Sequence, residues 1–149
     1  MPLDVVKASI EQMIVAVTLA KGFEQETAHV KVDVPYCIKT YTSFIEAGIG
    51  GVLALLHDGK VIGGLGYVVA DDLHCPRSLA IETFWFVPPE NRGGGMLLLQ
   101  AFEDVARDLH CDGVAMIHLT DSHPDALEKV YARRGYNLVE KHYVKELLP

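Results

Sequence analysis

The residues best placed to do chemistry lie in the run Phe84-Trp85-Phe86-Val87-Pro88-Pro89-Glu90-Asn91-Arg92-Gly93-Gly94-Gly95-Met96-Leu97-Leu98-Leu99. An apolar strand pattern stops at two prolines, crosses an Arg-Gly-Gly-Gly turn and opens an amphipathic helix. Glycine adopts φ/ψ values closed to other residues, and its missing side chain lets a ligand reach the main chain. The first helical turn carries N–H groups with no partner inside the helix, and these suit a phosphate. Arg92 adds a fixed positive charge beside them. The expectation is a loop that holds the phosphates of a cofactor. The plain alternative is a tight strand-to-helix connection and nothing more.

Two other phosphate loops are excluded. No Gly-Lys-Ser/Thr closes a P-loop, and the full GxGxxG of a dinucleotide fold is missing. Gly63-Gly64-Leu65-Gly66 falls inside a strand pattern, which points to a bulge or a close backbone approach. Cys37, Cys75 and Cys111 are odd in number, scattered and without a CxxC pair, so neither a disulfide framework nor a zinc site is indicated. His29, His57, His74, His110 and His142 show no metal-ligand spacing with acidic partners, and no metal is expected. Glu103, Asp104, Arg107 and Asp108 read as the solvated face of the helix after the loop.

Those residues need a scaffold. The chain has 149 residues, half of them apolar, enough for one domain with a real core. No apolar run approaches the roughly 20 residues of a membrane span, and residues 14–20 lack the basic flank of a signal peptide. With the cysteine pattern, this favours a cytoplasmic setting and no membrane partner. A net charge of −7 argues against a nucleic-acid surface.

A short strand fits residues 3–8, and Ser9 caps a helix reaching about Lys21, with Ile10, Met13, Ile14 and Val17 on one face and Gly22 ending it. Asp33 caps a second helix that carries Pro35 in its first turn and ends at Gly48, with Ile38, Tyr41, Phe44 and Ile45 inward. Strands at 52–57 and 60–70 flank Asp58-Gly59, a pair made for a type I′ turn. A third strand spans 78–87. A helix over 95–110 repeats Leu98, Phe102, Val105 and Leu109. A strand at 113–119, a helix at 124–134 with Gly135 after it, and a last strand at 136–145 complete the order β-α-α-β-β-β-α-β-α-β. The fold class is α/β: one mixed sheet, at least two strands parallel, helices on both faces.

This order, and Val87-Pro88-Pro89-Glu90-Asn91-Arg92-Gly93-Gly94-Gly95 within it, resembles the GNAT superfamily of acyl-CoA-dependent N-acyltransferases. Val87, Pro89, Arg92 and Gly95 match its Val-x-Pro and Arg/Gln-x-x-Gly-x-Gly/Ala signature, whose last small residue would fall on Leu97. Tyr131-Ala132-Arg133-Arg134-Gly135-Tyr136 is similar to the family's Tyr-x-x-x-Gly-Phe/Tyr segment, with Pro124 near the place of an Asn that often precedes it. The aromatic strand at 84–86 and the closing Tyr143-Val144-Lys145-Glu146-Leu147 resemble bacterial and phage members.

The resemblance implies acetyl-CoA as co-substrate, lying where two parallel central strands splay apart, here those ending at Val87 and Leu119. Backbone groups of Phe86 and Val87 would pair with the pantetheine arm. Amides from Arg92 through Gly93, Gly94 and Gly95 to Met96 would receive the pyrophosphate. Glu82 is the candidate base: it is the sole ionisable residue of its strand, and alternation sets it on the face of Phe84 and Phe86. Apolar surroundings would raise its pKa. It also reads as a solvated surface residue, and a water relay could replace it. Tyr131 is the candidate acid for the departing thiolate, or a packing residue that only hydrogen-bonds the sulfur. His118 and His123, at the end of a strand by the cleft, could touch substrate or be structural.

The implied reaction is direct acetyl transfer to a primary amine on a small molecule or peptide. Acceptor choice would lie with residues 9–48 and 71–77. The alternatives are an inactive GNAT-fold module that binds acyl-CoA or a protein, and an interaction protein whose loop is only a turn. A homodimer would be in keeping with the family.

Overall fold

Asp58 and Gly59 turn the chain as their types dictate, with φ of +52° and +78°, the left-handed pair a type I′ hairpin needs. The hairpin they close joins β2 (Gly50–His57) to β3 (Lys60–Asp71). The computed structural model describes residues 2–148. β1 (Leu3–Lys7) adds to β2, and β4 (Ser78–Phe86) adds to β3, all antiparallel. β5 (Gly113–Ala115) lies beside β4 and parallel to it, giving one mixed sheet in the order β1-β2-β3-β4-β5.

Strand periodicity divides the core. Leu53, Leu55, Leu65, Tyr67 and Ala80 pack with Leu98, Phe102 and Val105 of α3 (Gly94–Asp108). Val52, Ala54 and Val61 face the other way, against Met13 and Val17 of α1 (Ile10–Ala20) and Tyr41 of α2 (Val34–Ala47). Residues 52 to 55 alternate between the two clusters, as a strand covered on both faces must. Helices on both faces of a mixed sheet are therefore observed.

The caps work as their residue types require. The Ser9 hydroxyl accepts from the Gln12 amide while the Gln12 side chain accepts from the Ser9 amide. Asp33 accepts from the Tyr36 amide, and Gly48 ends α2 at φ +71°. Some details differ from the pattern. Met13, Ala16, Val17 and Ala20 form the buried stripe of α1, whereas Ile10 and Ile14 sit at its rim. Gly22 does not stop the chain turning; a 3₁₀ turn runs through it over Lys21–Gln25. Leu109 is exposed at the end of α3, where the apolar stripe has passed the sheet.

The chain forms two compact units, Met1–Ile117 and His118–Pro149. The first holds the sheet and α1 to α3; the second holds α4 (Pro124–Arg133), closed by Gly135 at φ +83°. The strand expected at 136–145 is not formed. Described residues 136–148 take no regular structure, and Leu138, Val139, Tyr143 and Val144 stay exposed. A strand exists only when its backbone groups meet a neighbour, and apolar spacing supplies none. The strand expected at 113–119 is likewise cut to three residues, because its pairing with β4 ends at Ala115.

Candidate active site

The sequence places one carboxylate in an aromatic strand, and the sheet decides what surrounds it. Leu79, Ala80 and Ile81 of β4 pair with Gly113, Val114 and Ala115 of β5, and there the two strands stop pairing. β4 continues to Phe86 against β3 alone. Glu82 stands at the parting. It is 5% exposed, and its Oε1 accepts from the backbone N–H of Ile117 at 3.3 Å, two residues beyond the paired part of β5. Burial pushes the carboxyl from its usual 4.5 up to about 8, opposed by the Ile117 bond. The reading of Glu82 as a solvated surface residue is thereby overturned.

Its expected alternation with Phe84 and Phe86 is overturned as well. Glu82 pairs with Tyr67 and Phe84 with Gly66, so Thr83 is an extra residue, a β-bulge. The bulge reverses the parity of the strand: Ala80 belongs to the cluster under α3, but Phe84 belongs to the one under α1 and α2. Trp85 packs toward α3, while Phe86 approaches Phe23 at 6.3 Å between ring centres. Gly66 supplies the room, for a Cβ there would lie 2.6 Å from both the Phe84 ring and the Tyr41 hydroxyl. The close approach expected of the glycine-rich stretch 63–66 is thus observed.

After Val87, whose side chain is buried in the α3-side core, a 3₁₀ turn over Pro89–Asn91 leads to α3. The three loop glycines are not there for unusual dihedrals, contrary to expectation. Gly93 is right-handed at φ −58°, ψ −25°, and the positive-φ glycines are Gly48, Gly59 and Gly135. Gly94 is needed for packing, since a Cβ would sit 2.5 Å from the buried Leu55 side chain. Gly95 lies in ordinary contact range of the Trp85 ring, and Gly93 has nothing within 4 Å of where a Cβ would be. Among the described residues no side chain caps α3, and within its first turn the Gly95 amide donates to the Arg92 carbonyl at 3.0 Å. The Arg92 side chain is held by Glu26, Nη2 to Oε1 at 2.7 Å. Met96 and Leu97 are exposed, so the bulk of Leu97 displaces nothing in the core.

Tyr131 lies on α4 in the second unit, with its ring 6.1 Å from that of His118 and 5.5 Å from that of Tyr136. His123 precedes α4 in a left-handed conformation, φ +47°, which is uncommon outside glycine. The structure thus groups Glu82 with the β4 bulge, and Tyr131 with His118. Glu26, Tyr41 and Thr83 were not found by sequence reasoning. Gly66 was the one available signal for Tyr41 and Thr83; Glu26 sits in a stretch with no pattern. No group of three or more His, Cys, Asp or Glu suited to a metal occurs among the described residues.

Comparison with known proteins identifies the family and the fold. The model of the acetyltransferase (GNAT) family matches residues 20–136. An aminoglycoside acetyltransferase from an uncultured soil metagenomic sample superimposes with a TM-score of 0.76 at 17% identity, covering 99% of this chain and 100% of the other. A predicted acetyltransferase with acetyl-CoA from Clostridium acetobutylicum gives 0.78 at 13% identity, covering 98% and 97%. The aminoglycoside N-acetyltransferase AAC(6')-Iy in complex with CoA gives 0.76 at 16%, covering 97% and 94%. At such identities the likeness is one of fold. No curated protein matches the chain by sequence. The family match covers most of the chain, strand, loop and closing Gly135-Tyr136 included, and the chain belongs to the GNAT acetyltransferase family.

Proposed function

We propose that this protein is an N-acetyltransferase that moves an acetyl group from acetyl-CoA directly to a primary amine. The observation that carries the reading is the buried Glu82 carboxyl where the pairing of β4 with β5 ends. A carboxyl that titrates near 8 is well matched to an ammonium group that must lose a proton near neutral pH.

The residues present suit acetyl-CoA. The uncapped start of α3 and the open main chain at Gly93 fit a pyrophosphate. The length of β4 beyond its ladder with β5, ending at Phe86 and followed by Val87, fits an amide-bearing arm that adds as a strand would. Arg92 is engaged by Glu26, but a partly exposed ion pair contributes at most about 1 kcal/mol. A more highly charged phosphate can take its place. In the reaction, ionised Glu82 accepts a proton from the acceptor's ammonium, directly or through a water. The neutral nitrogen bonds to the acetyl carbon, the carbon–sulfur bond breaks, the Tyr131 hydroxyl gives a proton to the departing sulfur, and the proton that the nitrogen sheds on becoming an amide restores that hydroxyl. Free cysteines at 37, 75 and 111 suit a cytoplasmic location.

Acetyl-CoA-dependent release of free thiol across a panel of amines tests the reading. Aminoglycosides belong in the panel, because two of the similar structures are described as acetylating them. Turnover with at least one amine is expected. Acetyl-CoA binding without turnover would favour a non-catalytic module, and no binding near millimolar concentration would end the proposal. Tyr131→Phe should lower kcat far more than cofactor affinity; unchanged turnover would remove it as the acid.

A further inference from the structure

The β4 bulge is held from outside the sheet. Tyr41, on α2, reaches past the Phe84 ring and hydrogen-bonds the hydroxyl of Thr83, the extra residue of the bulge, at 2.5 Å. Phe44 and Phe84 meet the Tyr41 ring edge-on at 5.8 Å and 5.7 Å, and Gly66 leaves the gap its hydroxyl fills. A phenylalanine would pack there equally well. The hydroxyl brings a polar atom into an apolar cluster, which costs free energy unless it is hydrogen-bonded. Thr83 supplies that bond, and the peptide it anchors carries Glu82 on its other side.

We propose that Tyr41 and Thr83 are positioning residues for Glu82: their hydrogen bond locks the bulge and so fixes the carboxyl where β4 and β5 separate. The proposal rests on Glu82 being the base. It makes α2, one of the helices with which acceptor choice would lie, part of the device that sets the base. Around Glu82 the titratable neighbours are Tyr41 from α2 and Tyr67 from β3, with Cys37 beyond Tyr41; burial raises the pKa of all three. The buried face of α3 is apolar and the bond from the β5 side is a backbone amide.

The test is a carbon-13 NMR titration of the glutamate carboxyls in the whole protein, with the Glu82 signal assigned by its loss in Glu82→Gln. Tyr41→Phe and Thr83→Val should each let water reach the carboxyl and lower its midpoint by about one pH unit. The double variant should shift no further than either single one, and Thr83→Ser should keep the original midpoint. Unchanged midpoints, additive shifts, or a Thr83→Ser midpoint as low as that of Thr83→Val would overturn the clamp. Thr83 is exposed, so its variants probe the clamp from a position outside the core. Turnover of the same proteins separates the two ideas. Loss of kcat in Glu82→Gln with wild-type behaviour in the Tyr41 and Thr83 variants rejects the clamp alone. Unchanged kcat in Glu82→Gln rejects the base.

Discussion

Ser78–Ile81 and Glu82–Phe86 are two halves of one strand with different neighbours. The first half lies between β3 and β5, paired with Gly113, Val114 and Ala115 on one side. The second half pairs with β3 alone and contains the bulge. The first closes the sheet; the second runs on beyond the end of β5. A carboxyl can be buried at the junction because a backbone N–H just past the end of β5 meets it. The end of one strand's pairing thus coincides with a buried carboxyl whose pKa is raised.

On the proposed reading, Glu82→Gln has the largest effect. It should lower kcat about 100-fold or more. The loss should be greatest below about pH 8 and shrink above it, where the amine increasingly loses its proton unaided. A uniform loss across the kcat–pH profile would count against a base.

The same variant sharpens the contrast in stability. In the unfolded chain Glu82 ionises near 4.5, in the folded chain near 8. Between those values the folded form keeps a proton that the unfolded form has released, so stability falls as pH rises, by up to about 1.4 kcal/mol per unit. Below 4.5 and above 8 this group contributes no slope. Glu24 and Asp72, whose carboxyls are lowered by hydrogen bonds, do the reverse at more acid pH and cancel in the comparison. Urea unfolding of wild type and Glu82→Gln across this range should differ by that slope, and parallel curves would refute the buried carboxyl.

The smallest effect separates the bulge from the loop. Gly66→Ala forces a methyl group against Phe84 and Tyr41 and should cost about 1–3 kcal/mol. Gly93→Ala enters open space at a helical φ and should change stability by no more than about 0.5 kcal/mol. Equal losses would mean that the crowding lies elsewhere.

Much of this was legible because it is local. Ser9, Asp33, Gly48, Asp58-Gly59 and Gly135 act within a few residues of themselves, so their types foretold caps and turns. The Arg92-to-Gly95 run marks the start of α3 for the same reason, although none of its glycines takes a positive φ and Gly94 serves packing against Leu55. Residues 136–145 form no strand because alternation reflects only what a segment could pair with, and pairing needs a neighbour. Glu82 is legible as the sole ionisable residue of its strand, but its alternation with Phe84 and Phe86 fails because one inserted residue, Thr83, resets every later side chain.

By itself, the sequence determined the order of elements down to α4, the hairpin, the strand-loop-helix unit and the family, since each rests on spacing along the chain. Tertiary structure alone decided that β5 stops at Ala115, that Thr83 bulges, that Tyr41 reaches it, and that Arg92 meets Glu26. These depend on which distant backbone groups find each other, and no single segment carries that information. The burial of Glu82 belongs with them.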